Sequence, residues 1–307
     1  MIPFNKPTFG QEEEDALIRV LRTGHLTAGK EVQAFEKEFA EYIGAPYVVA
    51  VDSCTNALWL SLRYERRNGP REIGCPGMTF ASVAHTIVQN DHGLTFTDEY
   101  HAGSAYQLRN TNIWDCAHQI ERGMYKKGTT MCFSFYPNKV LSSAEGGAIA
   151  TDDPEMVEWL KGARWNGRYA RSFSDYDIKF AGWKMNMTDI QACLVREQLK
   201  KLDSFNSRRA EIKAEYDKHF TQVNEWHYLY VVEVDNRDEF LKKMSDSGVE
   251  CSFHYKPLYE QPAYQDLKAD YYYLDSIKDR IVTLPLYPAL TNNDVAQIIG
   301  LTKQHKM

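Results

Sequence analysis

No paired-cysteine spacing occurs in this 307-residue chain. Cys54, Cys75, Cys116, Cys132, Cys193 and Cys251 are scattered, without a CxxC. That excludes a zinc ribbon and gives no disulfide framework, so no metal is expected and the thiols read as small buried residues. No stretch approaches the ~18 apolar residues of a membrane span, and the N-terminus MIPFNKPTFGQEEED turns acidic where a secretory signal would turn apolar. A cytoplasmic protein without a membrane partner is expected. Excess positive charge is missing as well. A net charge of −6 provides no basic field to recruit nucleic acid, so any bound phosphate must be held by local donors. There is no low-complexity tract and no internal repeat. A composition of 43% hydrophobic and 25% charged residues belongs to a globular chain long enough to bury a sizeable core.

What is present is an alternation of strand and helix patterns. GKEVQAFEKEFAEYIG places Val32, Phe35, Phe39 and Ile43 at helical spacing and ends in Gly44, a suitable C-terminal cap. The run YVVAVDS then reads as a strand, and CTNALWLSLRYERR resumes helical periodicity after a Ser-Cys-Thr-Asn turn. FASVAHTIVQN is helix-like, and GLTFTD, NIWD and TMCFSFY are strand-like. Such alternation predicts an α/β fold with a mainly parallel sheet flanked by helices. After Asp153 long helical patterns follow, PEMVEWLKGARW and then MTDIQACLVREQLKKLDSFNSRRAEIKAEYDKHF. The second is long enough to bridge two units. A large domain over residues 1–205 and a smaller C-terminal α+β domain over 206–307 are expected.

In open α/β sheets ligands bind beyond the carboxyl ends of strands. The stretch CFSFYPNKVLSSAEGGAIAT, residues 132–151, places a single lysine, Lys139, in a turn between two strand-like runs, among aromatic, small and hydroxyl side chains. A desolvated amine of lowered pKa is what Schiff-base chemistry requires. A strand-end lysine reaching solvent is the equally available alternative. Ser53, Cys54, Thr55 and Asn56 open a helix, where free amides, the helix dipole and hydroxyls suit a phosphate; a plain N-cap explains the same residues. Asp115 ends the short strand before Cys116, Ala117 and His118, and Ser134 precedes Lys139 by five residues. Each alone reads as structural. Together they provide a lysine to attach pyridoxal phosphate, an aspartate for its pyridine nitrogen and donors for its phosphate.

At these residues the chain resembles the DegT/StrS family of nucleotide-sugar aminotransferases, which are fold type I pyridoxal phosphate enzymes. The stretches TGHLTAGKEVQAFEKEFAEYIGAPYVVAVDSCTNAL, MTFASVAH, WDCAHQI, FSFYPNKVLSSAEGGAIATDD, GWKMNMTDIQACLVREQL and FHYKPLYEQPAY followed by LPLYP carry the likeness through nearly the whole chain. The resemblance implies that Lys139 is the attachment lysine, that Asp115 faces the ring nitrogen and that Phe80 stacks on the ring. By the same likeness Thr55, Asn56 and Ser134 fall at phosphate positions, and Ala117 and His118 lie beneath or beside the cofactor. Asn186 of GWKMNMTD matches an asparagine that contacts phosphate across a homodimer with shared active sites. His254, Tyr255 and Lys256 are candidates for gripping the sugar nucleotide.

The implied reaction moves an amino group from glutamate to a nucleotide-linked keto-deoxy sugar, by family precedent a 4-keto-6-deoxyhexose. A 3-keto sugar or keto-cyclitol acceptor, a sugar 3-dehydratase and a non-catalytic cofactor- or sugar-nucleotide-binding homologue are the alternatives. Lys139 argues against the dehydratase, in which histidine replaces the lysine. Two small departures put Cys54 and Ala144 where most members carry glycine. A larger one is the connection between Asp98 and Asn112, DEYHAGSAYQLRNTN, much shorter than the helix and strand the family places there. A trimmed sheet, shorter by about one strand, or a rerouted chain is expected, with Asp115 unmoved relative to Lys139.

Overall fold

The computed structural model describes residues 1–170, 176–224, 226, 228–267 and 269–306. In chain order its elements begin with α1 (Gln11–Thr23), α2 (Lys30–Ile43), β1 (Tyr47–Val51), α3 (Cys54–Glu65), β2 (Glu72–Pro76), α4 (Ala81–Gln89) and β3 (Gly93–Thr97). Next come β4 (Tyr106–Gln107), β5 (Ile113–Asp115), β6 (Thr130–Ser134), β7 (Gly147–Thr151), α5 (Pro154–Ala163), β8 (Arg168–Ala170) and β9 (Tyr176–Ile178). The long α6 (Asp189–Asp217) leads to β10 (Tyr230–Glu233), α7 (Arg237–Asp246), α8 (Tyr272–Ile277), β11 (Ile281–Leu284) and α9 (Asn292–His305).

The helix expected before Gly44 is α2, and Gly44 closes it in the left-handed conformation at φ 76°, which glycine adopts without strain. Helix α1 was not among the expected elements, although Ala16, Leu17 and Val20 stand at helical spacing and pack inward; at its start the Gly10 amide donates to Glu13 at 2.7 Å, and three glutamates occupy the first turn. An ion-pair network ties α1, α2 and α6 together. Glu31 accepts from Arg19 and from Arg196, each at 2.5 Å, and Arg196 also pairs with Glu38. Asp189, at the start of α6, accepts from the amides of Gly29 and Val32 and so caps α2 from another element.

Strands pair in the order β1-β7-β6-β5-β4. β5 and β6 are parallel, whereas β7 runs antiparallel to both β1 and β6, and β4 antiparallel to β5. β2 and β3 form a parallel pair, joined to this sheet where Gly74 bridges Arg109. The sheet is therefore mixed: β1, β5 and β6 point one way, and β4 and β7 run against them. β6 and β7 are buried at every position, as continuous apolar strands under helices on both faces should be.

The short connection does not simply remove a strand. Residues 98–112 fold back as β4, a two-residue antiparallel strand beside β5 (Tyr106 opposite Asp115, Gln107 opposite Trp114), and the bridge at Arg109 fills the place next to β2. A hairpin strand beside β5 thus occupies this connection, in keeping with the rerouted alternative.

Two hydrophobic cores are separate. The larger includes Phe35, Phe39, Phe133, Phe135 and, from the first half of α6, Ala192, Val195, Leu199 and Leu202. The smaller takes Ile212 and Tyr216 from the second half of the same helix, with Tyr230, Phe240, Val282 and Ile298. We propose the division between units at residues 205 and 206, where α6 passes from one core to the other. Ile2 crosses that division in one direction, since it bridges Val249 and packs in the smaller core, and Leu229, Val231, Leu258, Tyr259, Leu274 and Ile281 cross it in the other, since they pack in the larger core.

Candidate active site

A cavity of about 300 Å³ opens at the ends of β1, β5 and β6. Each wall is built locally. Strand β1 runs out at Val51, and Ser53 caps α3 by accepting the Asn56 amide at 3.1 Å. The first amides of a helix have no partner within it, so the N-terminus of α3 faces the cavity as an anion cradle, with Ser53 and Thr55 on its wall. Gly147 makes this closure possible: a Cβ there would lie 2.4 Å from the Ser53 carbonyl carbon. Ser134, buried at the end of β6, adds a hydroxyl to the same wall.

Asp115 is only 7% exposed. Its Oδ1 accepts the Ala117 amide at 2.9 Å, and its Oδ2 accepts the Tyr106 hydroxyl at 2.9 Å. Burial raises its pKa, while the Ala117 and Tyr106 donors and the Lys139 charge oppose the rise. A carboxylate accepts about four hydrogen bonds, so Asp115 retains capacity for a donor from the cavity.

The Lys139 amine lies 2.8 Å from Nε2 of His118. Burial lowers its pKa to about 8, against the raising influence of Asp115. His118 accepts the Gly103 amide at Nδ1, 3.2 Å away, and Tyr255 places its hydroxyl 3.1 Å from Nε2. Burial, with the charges of Lys139 and His254, pushes His118 well below an ordinary imidazole. A neutral ring that accepts at Nδ1 carries its proton on Nε2, directed at Lys139 and Tyr255. The arrangement suits an uncharged Lys139 amine.

Phe80 stands at the mouth, 59% exposed, with its ring edge-on to Tyr255 at 6.2 Å. Tyr255 also stacks on His118, the rings inclined by 12°. His254 lines the cavity but is buried; its Nδ1 pairs with Thr283 at 2.9 Å, and burial together with Lys139 pushes it down to about 3.

Of the residues singled out in the sequence, Thr55, Phe80, Asp115, Ala117, His118, Ser134, Lys139, His254 and Tyr255 meet on this one wall. Three do not. Asn56 turns its amide back to Asp52 at 2.7 Å, completing the N-cap instead of reaching into the cavity. Asn186 is buried, donates to the Met187 carbonyl at 3.1 Å and accepts from Lys184. Lys256 is exposed and off the wall. Thr79, His101 and Tyr106 also line the cavity and were not singled out in the sequence, although Thr79 adjoins Phe80 in MTFASVAH. A period-two pattern, Tyr106 in, Gln107 out, Leu108 in, was the available signal for a strand in the short connection.

This donor set fits a planar phosphorylated pyridine. A helix N-terminus and the hydroxyls of Ser53, Thr55 and Ser134 suit an anion, a buried carboxylate faces where a ring nitrogen would sit, and an amine stands ready for a carbonyl carbon. The buried Oδ1 of Asn138, also on the wall, has no hydrogen-bond partner of its own.

Comparison with known proteins agrees. The sequence model of the DegT/DnrJ/EryC1/StrS aminotransferase family matches residues 7–105 and 113–302, skipping only the rerouted hairpin between them. The spore coat polysaccharide biosynthesis protein SpsC of Bacillus subtilis is 30% identical over 372 aligned positions, covering 97% of this chain and 95% of the relative. The sugar aminotransferase CalS13 of Micromonospora echinospora superposes with a TM-score of 0.88 at 20% identity, over 99% of this chain and 100% of that one. The PMP form of a putative sugar aminotransferase, Spr1654 of Streptococcus pneumoniae, gives 0.86 at 22%, over 100% and 99%. At these identities the structural likeness is one of fold, while the family match rests on the sequence itself. The chain belongs to the DegT/DnrJ/EryC1/StrS aminotransferase family and is a pyridoxal phosphate-dependent aminotransferase.

Proposed function

We propose that this enzyme transfers an amino group from glutamate to a nucleotide-linked keto-deoxy sugar, a 4-keto-6-deoxyhexose, in a homodimer whose two sites are shared between subunits. The observation that carries the reading is the convergence of Lys139, Asp115 and the α3 N-terminus on one cavity in a member of this family. The polysaccharide role in the name of SpsC supports a sugar acceptor. Six free thiols support a cytoplasmic location.

Bound pyridoxal phosphate supplies an electron sink for the carbanion at the donor's α-carbon. Asp115 would accept from a protonated ring nitrogen and so keep the proton there. The α3 amides with Ser53, Thr55 and Ser134 would hold the phosphate and so orient the ring. Lys139 would hold the cofactor covalently through Nζ, and its amine, once free, would be the base placed to take a proton from the α-carbon of glutamate. The neighbouring Nε2–H of His118 favours the uncharged amine that both tasks need. Phe80, at the mouth, would cover the ring face, and Tyr255 would bound the side on which the sugar enters.

Turnover with glutamate against a panel of nucleotide-linked 4-keto-6-deoxyhexoses, 3-keto sugars and keto-cyclitols tests the reading. Amination of a 4-keto sugar is expected; amination confined to a 3-keto sugar or a cyclitol, or none at all, would overturn it.

A further inference from the structure

Tyr106 is the first residue beyond the matched segment 7–105, so nothing about its role follows from the family. It is 7% exposed, lines the cavity, and donates to Asp115 Oδ2 at 2.9 Å. Its hydroxyl also lies 2.6 Å from Oγ1 of Thr79. One phenol has one proton, and an ionised carboxylate can only accept. The proton of Tyr106 is therefore committed to Asp115, and Thr79 donates to the phenolic oxygen. The chain of donors runs Thr79 to Tyr106 to Asp115, each bond polarising the next. The Tyr106 ring is held by stacking on His101, centroids 5.5 Å apart at 19°.

The register explains how the residue arrives there. β4 runs antiparallel to β5 with Tyr106 opposite Asp115, and the pair shares one face of the sheet. The same short connection braces the site at two further points: the Gly103 amide bonds His118, and the Tyr100 hydroxyl bonds the His254 carbonyl at 2.5 Å. Gly103 cannot be replaced cheaply, because its φ is 88° and a Cβ would stand 2.8 Å from Asn224.

We propose that Tyr106 is a positioning residue of this enzyme, delivered by the rerouted hairpin, which aims the Asp115 carboxylate at the cofactor's ring nitrogen. The inference rests on the reading of Asp115 given above.

The test compares binding of pyridoxal phosphate with binding of its 1-deaza analogue, in which a ring CH replaces the nitrogen, to the cofactor-stripped full-length protein. Only the nitrogen-bearing ligand can use Asp115. Wild type should prefer pyridoxal phosphate, and Asp115→Asn should lose that preference. Tyr106→Phe should lose roughly tenfold of the preference while binding the analogue as wild type does, the scale of one hydrogen bond to a charged group. Thr79→Val should lose less in the same direction, and it carries the test if Tyr106→Phe does not fold. A variant that weakens both ligands equally, or neither, overturns the positioning role. If Asp115→Asn itself keeps the wild-type preference, the reading of Asp115 fails first, and the inference falls with it.

Discussion

The Lys139 amine lies 2.8 Å from Nε2 of His118, a nitrogen whose ring already accepts the Gly103 amide on its other side. That contact places a proton donor against the amine and fits the lowering of Lys139 to about 8. Covalent attachment of added pyridoxal phosphate to cofactor-stripped protein should accelerate as pH rises through about 8 and level off above it. Stopped-flow absorbance would show this; a rate still climbing toward pH 10 would mean an ordinary, solvated lysine.

The same lowering has a cost in stability. With the folded value near 8 and an ordinary lysine at 10.5, the unfolded chain binds more protons between those limits, so stability rises with pH across that window and the full penalty applies below it. Lys139→Met should therefore stabilise the cofactor-free protein at pH 7 by roughly 1–3 kcal/mol. Urea denaturation should show the gain fading by about pH 10. A destabilised variant at pH 7 would contradict the burial assigned to this amine.

Arg164 donates to Glu36 at 2.5 Å, and Glu36 in turn accepts the Ala50 amide at 2.9 Å, which fastens α2 and the end of α5 to β1. Both side chains are largely buried. Arg164→Ala leaves the buried carboxylate without its cation, with only the Ala50 amide to meet it, and should cost about 3–5 kcal/mol, read from the urea midpoint at pH 7. A loss below about 1 kcal/mol would show the pair to be as weak as an exposed one.

Much of this was legible because local pattern and tertiary role agree. Periodicity placed α2, α3 and α4; the apolar runs marked β1, β5 and β6; and the isolation of Lys139 among uncharged neighbours pointed to its place on the cavity wall. Other features were not legible. β2 reads EIGCP, with glycine and proline inside the strand, and it survives because its partners cover it. β4 is two residues long and has meaning only through its pairing with β5. The Asn56 side chain had two chemically equal destinations, the cavity or Asp52, and only the turn geometry at α3 chose the second. Tyr106 became visible as a partner of Asp115 once antiparallel register set the two side by side.

Sharing of sites across a dimer is testable by complementation. Asn186→Ala and Lys139→Ala should each abolish most activity. After co-refolding, half the dimers are hybrids with one intact site, so roughly a quarter of wild-type activity should return. No recovery, or full activity from a monomer in sedimentation, would remove the shared site.

The most direct measurement is reduction with borohydride. Protein loaded with pyridoxal phosphate should be yellow, should bleach on reduction, and should yield by peptide mapping a single phosphopyridoxyl adduct on Lys139. An adduct on another lysine, or none, would contradict the assignment of this cavity as the active site.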